Sequence, residues 1–247
     1  MPDSQHIVKS YGQELQRLRD LMSEMGGVVE NQVALATQAI RTGDADAANH
    51  AVSLDAKVDE LDRQAEQLVI RMLALRQPMA SDLRETVSAL KITAAMERIG
   101  DYAKNVAKRS IVLGQFRLPF SMTGLANMSS MVQENLKLVI DAIGEQDVQK
   151  ALQVWQSDQA IDDLYNSIFR ELVTYMMEDA RNITPCTHLL FIAKNLERIG
   201  DHATNIAETL HYAITGERLD AERPKGDNSA YALVRLHEDH PGEGSQA

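Results

Sequence analysis

Pairs of carboxylates four residues apart in helical sequence are the strongest sign of chemistry in this chain. Glu97 and Asp101 form one pair, and Glu197 and Asp201 form another one hundred residues later. In a helix, side chains at i and i+4 share a face with their Cβ atoms about 5–6 Å apart. Each pair therefore presents a row of oxygen atoms that could bind a metal ion.

The two pairs belong to an eleven-residue repeat. Residues 97–107 read ERIGDYAKNVA, residues 197–207 read ERIGDHATNIA, and eight of the eleven positions are identical. Such a repeat indicates a duplicated supersecondary unit. Four further repeat residues lie beside the acidic pairs and are weaker candidates for the same site: Asn105, Asn205, Arg98 and Arg198.

A second acidic pair precedes each copy of the repeat, since Asp55 and Asp59 correspond to Asp158 and Asp162 at an offset of 103 residues. Like charges at i and i+4 destabilise a helix by about 0.2–0.5 kcal/mol per pair, so four such pairs favour a compensating cation. Oxygen ligands are typical of Mg²⁺, Mn²⁺, Ca²⁺ or iron. The predicted metal ligands are Asp55, Asp59, Glu97, Asp101, Asp158, Asp162, Glu197 and Asp201.

The alternative interpretation is that these carboxylates are merely solvated. Local ion pairs are also available and would contribute only about 0.2–1 kcal/mol each. The candidate partners are Asp59 with Arg63, Asp101 with Lys104, and Glu197 with Lys194.

The heptad pattern of the repeat helices predicts that the acidic rows lie on the surface. Leu189, Leu196 and Ile199 belong to the apolar seam of the last helix, whereas Glu197 and Asp201 fall outside that seam. This placement argues against a buried di-iron centre, whose carboxylates project into a bundle core.

The composition narrows the functional classes further. The chain has 247 residues, a formal charge of −11 and only 4 % aromatic residues, a profile typical of an all-helical protein with an aliphatic core. The negative charge disfavours nucleic-acid binding. A single cysteine, Cys186, excludes an internal disulfide, and no apolar run is long enough to cross a bilayer. We therefore expect a cytoplasmic protein that is not embedded in a membrane.

The periodicity predicts an all-α fold of two tandem, pseudo-repeated antiparallel three-helix bundles. The first repeat is assigned to residues 1–115, the second to 121–216, and a flexible polar tail to 217–247. Helix starts are predicted at Asp44 and Asp147, where aspartate can cap the next helix. Helix ends are predicted at Gly43 and Gly144.

The doubled ERIGD-x-A-x-N motif, the preceding D-x-x-(V/I)-D segments and residues 25–30 (MGGVVE) together resemble the PhoU family over about residues 8–220. The resemblance implies two three-helix bundles, frequent homodimers, and multinuclear clusters of divalent or trivalent metal ions (iron, Mn, Zn or Mg) on the eight carboxylates. It also implies negative regulation of phosphate uptake and of the phosphate-starvation response. The implied partners are the ATPase side of a phosphate ABC transporter and a sensor histidine kinase.

Two other interpretations stay open. One is a metal-dependent enzyme on a helical-bundle scaffold, although the sequence shows no pairing of a nucleophile with a base. The other is a helical scaffold whose acids bind nothing. The regulatory, non-enzymatic interpretation is the one we favour.

Overall fold

The computed structural model describes residues 3–118 and 121–219, with side chains from residue 11 onward, and it contains no β-strand within those ranges. The all-α prediction is therefore confirmed. A short 3₁₀ turn, Ala180–Asn182, precedes the last of six long helices. The helices are α1 (Asp3–Thr42), α2 (Ala45–Arg76), α3 (Ser81–Leu113), α4 (Thr123–Glu145), α5 (Val148–Glu178) and α6 (Ile183–Thr215).

The two predicted aspartate caps are confirmed. The Asp44 carboxylate accepts hydrogen bonds from the backbone N–H groups of residues 46 and 47, each at 3.0 Å. The Asp147 carboxylate accepts equivalent bonds from residues 149 and 150, at 2.8 and 3.2 Å. Each cap thereby satisfies N–H groups that have no partner inside their own helix.

The predicted helix end at Gly43 is confirmed, because this glycine follows α1 and adopts a positive φ of 69°. The end predicted at Gly144 is wrong. The helix α4 continues to Glu145, and the left-handed capping position is occupied by Gln146, with φ of 52°. The polar tail predicted from residue 217 lies outside the described residues from position 220 onward.

The two halves pack together through their repeat helices, α3 and α6, which run antiparallel. At the crossing, the rings of Tyr102 and His202 lie 5.7 Å apart, although the two residues occupy the same position in the repeat. Further along, the guanidinium group of Arg109 lies over the Phe191 ring at 4.1 Å. Contact between equivalent residues indicates an approximate twofold axis through the repeat motif.

This arrangement buries α3 and α6 on more than one side, because each helix contacts the other half as well as its own. Ile99 and Ile199 are both fully buried. None of the helices in the described part of the chain combines the length and apolar character that a membrane crossing requires.

A glycine lies in the middle of each repeat helix, where a neighbouring helix packs closely against it. A Cβ atom at Gly200 would lie 2.9 Å from Cδ1 of Ile161, and one at Gly100 would lie 3.2 Å from Cγ1 of Val58. The glycines thus bring α6 against α5 and α3 against α2, and those are the helix pairs that carry the acidic residues.

Substitution of Gly200 by Ala should show how close this packing is. Alanine gains about 1 kcal/mol of helix propensity, but the methyl group must displace Ile161. We expect little or no gain in the free energy of unfolding for Gly200→Ala, and a gain approaching about 1 kcal/mol for Gly27→Ala, whose Cβ would meet no atom within 4 Å. Urea unfolding of both variants measures the difference, and equal gains would contradict the close approach.

Candidate metal-binding sites

The first acidic site, formed by Asp55, Asp59, Glu97 and Asp101, lies between α2 and α3 and surrounds a lysine. The ammonium group of Lys104 donates hydrogen bonds to Oδ2 of Asp55 and Oδ1 of Asp101, each at 2.7 Å. These two carboxylates raise the pKa of Lys104, although burial opposes them. The lysine therefore holds a positive charge between two of the predicted metal ligands.

The other two carboxylates of this site, those of Asp59 and Glu97, have raised pKa values. Desolvation and the charge of Asp55 raise the pKa of Asp59, and desolvation and the charge of Asp101 raise the pKa of Glu97. The charge of Asp101 on α3 also raises the pKa of Asp59 on α2, and the charge of Asp59 raises that of Glu97, so carboxylates of the two helices lie close together. Arg98 partly offsets this repulsion, with Nε 3.4 Å from the Glu97 carboxylate.

The second acidic site, formed by Asp158, Asp162, Glu197 and Asp201, lies between α5 and α6 and is more deeply buried. Asp158 is 2 % exposed, Asp162 is 5 % exposed and Glu197 is 4 % exposed. The prediction that the acidic rows lie on the surface is therefore wrong for these three residues. A heptad pattern identifies one apolar seam, whereas α6 contacts three other helices and is covered over a wider arc.

Hydrogen bonds within the second site leave one carboxylate oxygen without a partner. The Thr204 hydroxyl donates to Oδ1 of Asp158 at 2.9 Å, and the Lys194 ammonium donates to Oε1 of Glu197 at 2.9 Å. The remaining oxygen of Glu197, Oε2, is buried and accepts no hydrogen bond from any described residue. Desolvation, together with the charges of Asp201 and Asp162, raises the pKa of Glu197 to about 6.

The two sites have the same plan but different charge compensation. Lys104 and Thr204 occupy the same position of the repeat, and each donates a hydrogen bond to the corresponding aspartate of the preceding helix. The lysine supplies a positive charge to the first site, and the threonine supplies none to the second. The sequence marks this difference, because ERIGDYAKNVA and ERIGDHATNIA differ at this position.

Two of the three predicted local ion pairs are confirmed, namely Asp101 with Lys104 and Glu197 with Lys194. The third is wrong, since Arg63 pairs with Glu60 and not with Asp59. The sequence did not predict the contact between Lys104 and Asp55, because these residues are 49 positions apart in the chain.

The weaker candidates beside the sites have different surroundings. The Arg98 guanidinium group lies 3.5 Å from Asp101, whereas that of Arg198 lies 5.6 Å from the Tyr102 ring centroid, at the contact between the halves. Asn105 is exposed, and Asn205 is partly buried. Among these four residues, Arg98 alone has a described ion pair with a predicted ligand.

A metal ion would have to draw these carboxylates together. Among residues 11–118 and 121–219, no three carboxylate, imidazole or thiol groups are already arranged to hold one metal ion. The donor chemistry nevertheless fits a hard cation at the second site, because a buried, unpartnered carboxylate oxygen is what an added cation would stabilise. At the first site the Lys104 ammonium already occupies the space between two ligands.

The comparisons with known proteins agree with this doubled architecture. The family model described as the PhoU domain matches twice, over residues 22–110 and residues 125–210. The chain belongs to the PhoU family. Each match includes one acidic site and one copy of the repeat.

Curated PhoU relatives cover most of the chain. A protein of Caulobacter vibrioides named "Phosphate-specific transport system accessory protein PhoU homolog" is 50 % identical over 225 residues, covering 91 % of this chain and 98 % of the relative. A Rhizobium meliloti protein of the same name is 47 % identical over 223 residues, covering 90 % and 94 %.

Solved PhoU structures share the fold. The crystal structure of PhoU from Pseudomonas aeruginosa gives a TM-score of 0.82 at 38 % identity and covers 84 % of this chain and 100 % of its own. The phosphate transport system regulatory protein PhoU from Streptococcus pneumoniae gives a TM-score of 0.77 at 28 % identity, covering 85 % and 100 %.

Proposed function

We propose that this chain is the accessory regulator of a phosphate transport system. The observation that supports this most directly is the 50 % identity to a curated phosphate-specific transport accessory protein, over nearly the full length of both chains. A Streptococcus pneumoniae structural relative is named a regulatory protein of phosphate transport. The relatives are thus named as accessory or regulatory proteins and not as enzymes.

In this proposal the protein restrains phosphate uptake and the phosphate-starvation response. It acts in the cytoplasm as a homodimer, through contacts with the ATPase side of a phosphate ABC transporter and with a sensor histidine kinase. The single cysteine, Cys186, does not favour a thiol nucleophile, since it is fully buried and burial raises the pKa of its thiol. A raised pKa keeps the thiol protonated and unreactive near neutral pH.

We further propose that divalent or trivalent metal ions bind this protein first at the second acidic site. The buried Oε2 atom of Glu197 supports this order, because a buried carboxylate oxygen without a hydrogen bond costs free energy that a cation would recover. At the first site a metal ion must displace Lys104 from two carboxylates. Metal affinity should therefore be higher between α5 and α6 than between α2 and α3.

A deletion strain tests the regulatory role. In abundant phosphate, loss of the gene should leave phosphate uptake and a starvation-gene reporter active, because the restraint on the transporter and kinase is missing. Plasmid-borne wild-type protein should restore repression. Unchanged uptake and reporter activity in the deletion strain would contradict the proposal.

A further inference from the structure

A cleft opens where four helices from both halves of the protein meet. It has a volume of about 210 Å³ and is lined by residues of α1, α3, α4 and α6. No residue of either acidic site lines it. Each of the four helices contributes a buried apolar side chain to its wall, namely Met22, Ile92, Ile143 and Leu210. The cleft is therefore separate from the predicted metal sites and has an apolar wall of its own.

The cleft carries a positive charge that no described residue compensates. Its charged lining residues are Arg19, Arg84 and Glu85. Arg19 and Glu85 neutralise each other, with Nη2 of the arginine 2.6 Å from Oε1 of the glutamate. Arg84 forms no ion pair with a described residue, and its Nε atom is buried without a hydrogen-bond partner among those residues. A buried N–H group without an acceptor costs free energy, which an anion in the cleft would recover.

A second polar group in the same cleft also lacks a partner. Ser88 lines the cleft and is only 3 % exposed, yet its hydroxyl group forms no hydrogen bond with any described residue. The buried hydroxyls of Thr86 and Ser110 on the same helix instead donate to backbone carbonyls, each at 2.8 Å. Ser88 follows Arg84 by four residues on α3, so the two side chains share one helix face. One oxyanion group can therefore accept hydrogen bonds from both.

The size and lining of the cleft narrow the class of ligand. Pockets for drug-sized molecules usually measure about 300–1,000 Å³, so a cleft of about 210 Å³ takes a smaller molecule. A guanidinium group suits carboxylate and phosphoryl oxygens, which accept two parallel hydrogen bonds from it. The buried apolar wall favours an anion that carries a short hydrocarbon over a bare inorganic ion, because burial of the hydrocarbon is itself favourable.

We propose that this cleft binds a small organic anion. The carboxylate or phosphoryl group of the ligand accepts hydrogen bonds from Arg84 and Ser88, and its short apolar part packs against the buried side chains of the wall. Because helices of both halves line the cleft, the bound anion adds a contact between the halves. This site is independent of the metal sites and of the regulatory role proposed above.

Equilibrium dialysis of the full-length protein at constant ionic strength tests the proposal. Radiolabelled butyrate and butyl phosphate distinguish the two head groups, and inorganic phosphate is the anion without a hydrocarbon. We expect at least one of the organic anions to bind more tightly than inorganic phosphate. Arg84→Gln should weaken that binding about tenfold or more, because hydrogen bonds to a charged group are lost. Arg71→Gln is the matched control and should bind as the wild type does, since Arg71 is exposed on α2 and does not line the cleft.

A second variant tests the cleft without changing its charge. Ala213→Phe adds bulk to the wall and should also weaken binding, while thermal unfolding confirms that each variant is folded. Equal weakening by Arg84→Gln and Arg71→Gln would overturn the proposal, by assigning the binding to general surface charge. The end of α6 also lies beside Arg84, since a Cβ atom at Gly216 would lie 3.3 Å from the guanidinium carbon. If Arg84 only stabilises that helix end, Arg84→Gln will melt at a lower temperature and the wild type will bind neither organic anion, which would also overturn the proposal.

Discussion

In chelator at pH 7.5, the Glu197→Gln variant is expected to be more stable than the wild-type protein by about 1 kcal/mol. With folded pKa about 6 against an ordinary value of 4.5, keeping Glu197 ionised costs about 2 kcal/mol. That cost is already net of the attraction of Lys194, but a glutamine amide must itself be buried beside the Lys194 ammonium, which offsets about 1 kcal/mol of the gain. The amide therefore relieves more repulsion and desolvation than it gives up.

In saturating metal the order should reverse. A cation that binds only the folded protein adds about 2.7 kcal/mol when its free concentration is one hundred times Kd. A glutamine side chain at position 197 would be a poorer ligand than the carboxylate, so the variant should lose most of that increment and become the less stable protein. Unfolding by urea in chelator and in Mn²⁺, Fe²⁺, Zn²⁺ or Mg²⁺ measures both free energies.

The pH dependence of stability in chelator tests whether the ionisation of Glu197 causes the difference between the variant and the wild-type protein. Since the folded pKa of Glu197 is raised, the folded state binds this proton more tightly than the unfolded chain does. Wild-type stability should therefore gain a contribution as the pH falls through about 6 toward 4.5, and the variant should lack it. Glu66→Gln, at an exposed position on α2, serves as the control and should change neither the pH profile nor the response to metal. If no cation stabilises the wild-type protein, the metal proposal is wrong.

Replacement of Lys104 by Met is expected to destabilise the metal-free protein by about 1–3 kcal/mol. The ammonium group bridges Asp55 and Asp101, and its loss leaves these partly buried carboxylates facing each other without compensation. The same change removes the competitor for the first acidic site. Divalent metal should therefore restore more stability to Lys104→Met than it adds to the wild-type protein.

Titration of both proteins with Mn²⁺ measures this difference as a change in melting temperature and in the number of bound ions. Lys57→Met is a suitable control, because Lys57 lies on the same helix as Asp55 and forms an exposed ion pair with Glu24 instead of a bridge between two predicted ligands. Its stability and metal response should match the wild type within about 1 kcal/mol. A Lys104→Met protein that gains no more from Mn²⁺ than the wild type does would show that the first site is not a metal site.

The repeat and its caps were accessible from sequence because they depend on local contacts. Asp44 and Asp147 bond to N–H groups two and three residues away, so their role follows from the residue type and its position. The capping role of Gln146 was not accessible in this way. From local sequence, the nearby Gly144 is the better candidate to end α4. The observed helix end is instead fixed by the hydrogen bond from the backbone N–H of Asp147 to the carbonyl of Ala142.

The acidic pairs likewise have one property that the sequence determines and another that depends on how the helices pack. Their spacing of four residues places two carboxylates on one helix face whatever surrounds the helix, and this much the sequence determines by itself. Burial depends on the neighbours of that face. The packing of α6 against α5 and α3 decides that Glu197 is enclosed, while Glu97 at the same repeat position stays partly open.

The sequence by itself determined six helices, a duplicated unit and eight carboxylates at repeat-equivalent positions, because helical periodicity and self-similarity need no knowledge of distant contacts. The tertiary structure alone decided that Lys104 bridges helices α2 and α3 while Glu197 holds a buried oxygen without a partner. A bond between residues 49 positions apart depends on how closely two helices approach. Gly100 and Gly200 permit that approach, but the atoms they bring together become apparent only when the helices are packed.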